Sequence, residues 1–218
     1  MNAVRVFILS LLSTQLLISS SQAHQKSWPG QKLTETFPSG KKFIQKQVNL
    51  NATQVKWIEN GLGEKIRTED NAPIFYSATS ADGVASGWVV FLDATGVNGK
   101  IEIGLALGPS GKVINVAILD SSESQDLRDP AFLKQFVGKM GAEKFKVGQD
   151  INSPKGQSRG SQAIATAVRR GLLLVMASLS VGSPLWNCIH FGEPTLSEAI
   201  TRSRPRRTAV AMAWLPRL

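Results

Sequence analysis

The sequence predicts an α+β fold, a curved antiparallel sheet with helices packed on one face. Three observations carry this. From Ala72 to Leu119 apolar and polar residues alternate with a period of two, the mark of strands with one buried face. Gly108-Pro109-Ser110-Gly111 interrupts that run with proline second and glycine fourth, which suits a type I turn and hence a hairpin. From Gln162 to about Val175 the period changes: Ile164, Ala167, Val168, Gly171, Leu172 and Val175 recur at helical spacing as one apolar stripe.

Residues 1–23 read as an export signal, with Arg5 as the basic start, an apolar run from Val6 to Ile18, and Ser21-Gln22-Ala23 as a small-x-small cleavage pattern. The apolar run is short for a membrane span. Residues 24–42, rich in Pro, Gly, Ser and Thr, read as a linker. Residues 43–80 form an N-terminal accessory layer in this reading. Phe43 to Leu50 alternates as a strand would, and Asn51 with Gln54 has the form of a capping box. Val55, Ile58 and Leu62 share one face of the short helix that follows, and Gly61 or Gly63 stops it.

The main domain is expected at 81–176. Strands are predicted over 73–78, 86–93, 100–107 and 112–119, with Ile101, Ile103, Leu105 and Leu107 matched across the hairpin by Ile114, Val116 and Ile118. Trp88 and Phe91 belong to the core in this reading. After a polar loop at 120–129, Asp129 caps a helix with Pro130 first, Phe132, Leu133 and Phe136 packing inward, and Gly138 at its end. Ala163 and Ala167 are small enough to bring the final helix close to the sheet. Residues 177–218 show no strong periodicity and form a C-terminal tail without assigned structure.

With 218 residues, 42% hydrophobic and 19% charged, the chain suits one sizeable domain with an accessory part rather than a disordered protein. Its net charge of +9 includes five arginines in the last 17 residues, Arg202, Arg204, Arg206, Arg207 and Arg217, and residues 24–185 carry a milder +5, from 19 Lys/Arg against 14 Asp/Glu. Together with export, that argues against a nucleic-acid partner and leaves the tail either solvated or touching anionic lipid. Cys188 is the single cysteine, which excludes an intrachain disulfide. His24 and His190 are the only histidines and there is no Cys-x-x-Cys-His, so no metal or covalent haem site is expected.

The most informative stretch is Lys155-Gly156-Gln157-Ser158-Arg159-Gly160-Ser161, immediately before the striped helix. Two glycines, two serines and two cations at a helix start suit a phosphate, because free N–H groups and the helix dipole both favour an anion there. The alternative is a plain polar connection with Ser161 as N-cap. There is no Gly-Lys-Ser/Thr and no preceding βαβ strand, so the loop is neither a P-loop nor a dinucleotide fingerprint. No histidine neighbours Ser158 in sequence, and no catalytic residue is assigned.

From Phe43 to Leu173 the chain resembles the exported FMN-binding domain family, whose relatives include flavin-carrying subunits of ion-pumping NADH:quinone and ferredoxin:NAD oxidoreductases. The resemblance rests on Leu-Asn-Ala-Thr-Gln-Val-Lys-Trp-Ile-Glu at 50–59, Gly-Lys-Ile-Glu-Ile-Gly-Leu-Ala-Leu at 99–107 and Gly-Lys-Val-Ile-Asn-Val-Ala-Ile-Leu at 111–119. Phe-Leu-Lys-Gln-Phe-Val-Gly-Lys at 132–139, Asp150-Ile151 and Ser161-Gln162-Ala163-Ile164 follow in the family's order. The family loop reads Asp-x-x-Ser/Thr-Gly-Ala-Thr, and a dedicated flavin transferase can join FMN to its threonine. Here Asn152 falls at the aspartate, Lys155 at the first hydroxyl, Gly156 at the glycine, Gln157 at the alanine and Ser158 at the acceptor. The motif is degenerate: the glycine is kept, and Ser158 retains a hydroxyl.

The resemblance implies one FMN, its phosphate near Gly156 to Ser161 beside Lys155 and Arg159. It is held without a covalent bond or, as the alternative, through an ester at Ser158. Glu123 and Ser124 fall where relatives carry a glutamate-containing segment near the flavin ring, with Gln125 as a further polar neighbour. It implies an electron-carrying flavoprotein or redox-complex subunit more than a stand-alone enzyme. It places the chain in the periplasm or another extracytoplasmic compartment, next to redox partner proteins at the membrane. The competing expectation is a non-redox binding module of the same fold that has lost its flavin.

Overall fold

The computed structural model describes residues 29–180; the export-signal, C-terminal-tail, Cys188, His24 and His190 readings lie outside these described residues, save that 177–180 are described. The chain forms an α+β fold around one five-stranded antiparallel meander. Helix α1 (Gly30–Thr36) leads into β1 (Lys42–Gln47), and α2 (Ala52–Leu62) lies in the connection from β1 to the strand it pairs with. Strands β2 (Ile74–Thr79), β3 (Ala85–Thr95), β4 (Lys100–Leu107) and β5 (Val113–Ser121) follow in spatial as in sequence order. Then come α3 (Pro130–Lys134) and the long α4 (Ser158–Leu179).

The local chemistry explains most boundaries. Asn51 accepts from Gln54 N and the Gln54 side chain accepts from Asn51 N, a complete capping box. Gly63, at φ 79°, is the residue that ends α2. Asp129 Oδ1 accepts from Ala131 N, and Pro130 opens α3. Gly111 N donates to Gly108 O, closing the hairpin turn between β4 and β5.

The main core lies between one sheet face and α3 and α4. Val90, Leu92, Ile101, Ile103, Leu105 and Leu107 meet Phe132, Phe136, Ile164, Val168, Leu172 and Val175, all buried. The whole predicted α4 stripe is buried. A Cβ on Gly171 would overlap Leu92, so this glycine sets how closely helix and sheet approach. By length and composition α4 could span a bilayer, but two thirds of it is buried in this core. Trp88 packs at the edge of the same cluster, while Phe91 packs with Tyr76 on the other face, 5.7 Å between ring centroids.

Four features depart from expectation. Residues 30–36, inside the expected linker, form α1, which packs on the sheet face opposite α4 through Leu33, Thr36 and Phe37. Each large side chain so buried contributes about 1.5–3 kcal/mol, enough to hold a helix too short to stand alone. Thr36 fits because residue 104 is glycine, where a Cβ would strike its hydroxyl. Second, residues 43–80 extend the same sheet through β1 and β2, and between those strands α2 packs against α4, with Ile58 on Leu173, Leu174 and Ala177. Third, Ile114 is 40% exposed, because the register shifts between Ala106 and Leu107 and puts Val113 opposite Leu107. Fourth, the polar stretch 120–129 contains a 3-10 turn, Gln125–Arg128, whose Leu127 is buried in the core.

Candidate functional site

Helix α4 starts at Ser158, four residues before the expected Gln162. Gly160 and the two serines are weak helix formers but do not interrupt the helix, and the break falls instead at Pro154 and at Gly156, whose φ is 77°. The cradle is therefore three residues ahead of the helix, Lys155 to Gln157, and one helical turn. Lys155, Gly156, Ser158 and Arg159 are exposed and Gln157 is half-buried. Gln157 sits at the N-cap without a side-chain cap, and no acidic residue lies in the first turn. Ser161 is not the N-cap: its N–H donates to Gln157 O at 2.9 Å, and its hydroxyl, fully buried, pairs with Ser153 Oγ at 2.9 Å. The N–H groups of Ser158, Arg159 and Gly160 precede this first intrahelical bond.

Gly160 is buried against Leu127 and Glu123. Glu123 reaches the first turn of α4 from the sheet side: its Oε2 lies 3.4 Å from where a Gly160 Cβ would be, and its Oε1 accepts from Asn98 N at 2.5 Å. It is itself 6% exposed. A buried internal carboxylate thus meets the positive end of the helix on one side. Ser124 is turned elsewhere, capping the 3-10 turn by accepting from Asp126 N and donating to Asp126 Oδ2. Glu123 and the cradle come together; Ser124 is spent on local structure.

The loop before α4 is held by a polar clamp. Asp150 accepts from Lys146 N at 2.7 Å, Phe145 N at 3.0 Å and Lys139 Nζ at 3.0 Å. Burial alone would raise the Asp150 pKa, but these three donors outweigh it and hold the carboxyl below its ordinary value. The Gln162 amide accepts from Val147 N and donates to Phe145 O and Thr166 Oγ1. Gln135 bonds both the N–H and the carbonyl of Asn152, the residue aligned with the family's aspartate. These contacts fix the path into the cradle.

Along the other flank of α4 runs an open cleft of about 400 Å³, in the ordinary range for a small-molecule site. Ala94 and Thr95 at the end of β3 and Ala163, Thr166 and Ala167 on α4 form its walls; Arg159, Arg170, Arg67 and Glu64 bring charge. Arg170 Nη2 donates to Asp93 O at 2.8 Å, and Arg67 Nη1 reaches the same carbonyl at 3.3 Å. Arg170 Nε stands 3.6 Å from Asp70 Oδ2, and neither atom has a hydrogen-bond partner. Burial pushes the Asp70 carboxyl up and the Arg170 guanidinium down, and their mutual attraction works against both shifts. Sequence reading missed Arg67, Thr95 and Arg170. Its one available signal was Arg169-Arg170 inside an otherwise apolar helical run.

No family model matches the chain, and no curated protein does. Among solved structures, the crystal structure of Shewanella oneidensis NqrC is similar, with 14% identity and a TM-score of 0.41 over 69% of this chain and 88% of that one. A likeness at that level carries no functional weight.

Proposed function

We propose that this chain is an extracytoplasmic FMN-binding electron-transfer protein, with the FMN phosphate held at 155–161. The carrying observation is the uncapped first turn of α4, exposed on its Lys155, Ser158 and Arg159 side and free of acidic residues of its own. Backbone N–H groups, a helix dipole and two cations there suit a phosphate dianion, and charge-assisted contacts to it are stronger than neutral ones. The motif order from Phe43 to Leu173 supplies the flavin as the ligand class. The adjoining cleft gives the rest of such a ligand room.

When bound, FMN supplies the electron chemistry, and the protein positions it and sets its electrostatics. Lys155 and Arg159 bind the phosphate, Gly156 lets the backbone approach it, and Gln157, Gly160 and Ser161 shape the turn. Ser158 offers the hydroxyl to which a flavin transferase would attach FMN. Glu123 steadies the turn from beneath, and Ser124 shapes the adjoining segment. Redox proteins at or near the membrane are the proposed partners, with peripheral membrane association.

Titration of the full chain with FMN and with riboflavin tests this reading. FMN should bind at least about tenfold more tightly than riboflavin, and Lys155→Ala/Arg159→Ala should erase the difference. No FMN binding, or a preference that survives the double substitution, overturns it. Intact mass after co-expression with a flavin transferase decides between an ester at Ser158 and non-covalent binding.

One observation favours the second reading, a non-redox module without flavin. Glu123 already brings a carboxylate to the start of α4, so the helix dipole is partly met from within. Protein purified without flavin absorbance, and inert to added FMN, would establish that reading instead.

A further inference from the structure

Arg67 and Arg170 come from different elements yet donate to one acceptor, the Asp93 carbonyl. Two guanidiniums on a single neutral oxygen leave most of their donors unused. Arg170 is 7% exposed, lines the cleft, and keeps its Nε without a hydrogen-bond partner. Asp70 offsets one of the two charges from 3.6 Å, and Glu69 approaches Arg67 only to 3.9 Å across solvent. Glu64 also lines the cleft, so this end presents two guanidiniums among carboxylates, with Arg170 buried and aimed by Asp70 and the Asp93 carbonyl.

Its distance from the cradle is fixed by β3. Asp93 meets Arg170, while Gly96, three residues on, lies against Glu123, which in turn lies against Gly160 at the start of α4. From Asp93 to Gly96 is on the order of 10 Å along β3, and from Gly160 to Arg170 about 15 Å along α4, a range that takes in a ribityl chain with a tricyclic ring. Between the two ends the lining includes the small side chains of Ala94, Ala163 and Ala167, with Thr95, Gln162 and Thr166 beside them.

We propose that the Arg67–Arg170 pair is the ring-end anion site of this cleft, receiving the pyrimidine edge of the flavin and stabilising negative charge on it. The assignment rests on the FMN reading above and adds a residue pair to it. Asp70 is a positioning residue: it holds Arg170 from behind and moderates the charge that the ring meets.

Sulfite provides a readout independent of any electron partner. It adds through sulfur to N5 of the oxidised ring, forming one S–N bond, and the displaced electron pair comes to rest on the N1–C2 carbonyl edge. No electron leaves or enters the pair of reactants, so the sulfite Kd reports on positive charge at that edge. Full-length protein saturated with FMN is titrated with sulfite as wild type, Arg67→Gln and Arg67→Lys. Arg67 is partly exposed, so its replacement spares the buried pair. Arg67→Gln should weaken sulfite binding about tenfold, and Arg67→Lys should recover most of it. An unchanged sulfite Kd in FMN-loaded Arg67→Gln overturns the ring-end assignment and leaves the cradle standing. Failure of the wild type to bind FMN overturns both.

Discussion

The two flanks of α4 handle buried polarity in opposite ways. Toward residues 139–153, the Asp150 carboxylate collects three donors and the Gln162 amide both donates and accepts. Toward β3, Asp70 and Arg170 face each other at 3.6 Å with orphaned atoms, although both residues are more than nine-tenths buried. A satisfied network rigidifies the backbone around it, whereas a half-satisfied one holds charge ready for something else. The first flank builds the path into the cradle; the second lines a cleft. The contrast separates structural polarity from the polarity proposed to serve a ligand.

The largest effect should come from breaking the loose pair on one side only. Asp70→Ala leaves Arg170 buried with its charge unmatched, and should cost roughly 3–5 kcal/mol in urea denaturation. Asp70→Leu combined with Arg170→Met removes both charges and should be close to neutral or stabilising. If the double substitution is as damaging as the single one, the pair is structural and the contrast between the flanks disappears.

A smaller loss is expected on the satisfied flank, with the opposite pH dependence. Asp150→Ala removes the acceptor of Phe145 N, Lys146 N and Lys139 Nζ and should cost about 2 kcal/mol. The Asp150 pKa is lowered on folding, so its stabilisation is complete above the ordinary aspartate value near 3.9 and drains away as pH falls through the lower folded value. The Asp70 pKa is raised, so its protonated form is the better tolerated one. That contribution is present in acid and lost as pH rises through the folded value. Amide exchange of Phe145 and Lys146 should therefore accelerate below about pH 4. Exchange in β3 near Asp93 should not follow it. Parallel acceleration at both places would show the two flanks to be one cooperative unit.

What the residues disclosed beforehand follows the range of the forces involved. The α4 stripe, the Asn51–Gln54 box, the Asp129–Pro130 start and the 108–111 turn are set by neighbours a few positions apart, and each was readable. Helix α1 was not, because its seven residues carry no period and are held by two distant strands: Asn115 Nδ2 on β5 donates to Thr36 O, and Lys32 pairs with Glu102 on β4 at 2.6 Å. The exposure of Ile114 was hidden for a similar reason, since a single-residue register shift leaves no local mark. For the candidate site, the residue types of 155–161 suggested an anion, but not that most of the stretch is helical. The cleft was invisible because Arg67, Thr95 and Arg170 are far apart in sequence and meet only through β3 and α4. Glu123 was expected beside the flavin ring, and it lies instead against Gly160 in the first turn of α4. Its place under the helix start came only with the Gly96 and Gly160 contacts.

The smallest expected effect tests how the two flanks are joined at the cradle itself. Ser153 Oγ donates to Pro154 O at 2.9 Å, which commits its single hydrogen. The 2.9 Å contact between Ser153 and Ser161 must then run from Ser161 to Ser153. Direction decides the cost. Ser161→Ala removes a donor and leaves Ser153, which is only half-buried, an acceptor that water can reach; about 0.5–1 kcal/mol should be lost. Ser153→Ala strips the acceptor from a hydroxyl with no exposed surface, and should cost about 1–2 kcal/mol. Because one bond connects them, the double alanine variant should lose no more than Ser153→Ala alone, and a double-mutant cycle in thermal or urea melts reads this directly. Equal single losses that add in the double variant would place the two hydroxyls in separate networks. The exposed side of the first turn, with Lys155 and Arg159, would then be the only part of the cradle tied to the satisfied flank through backbone alone.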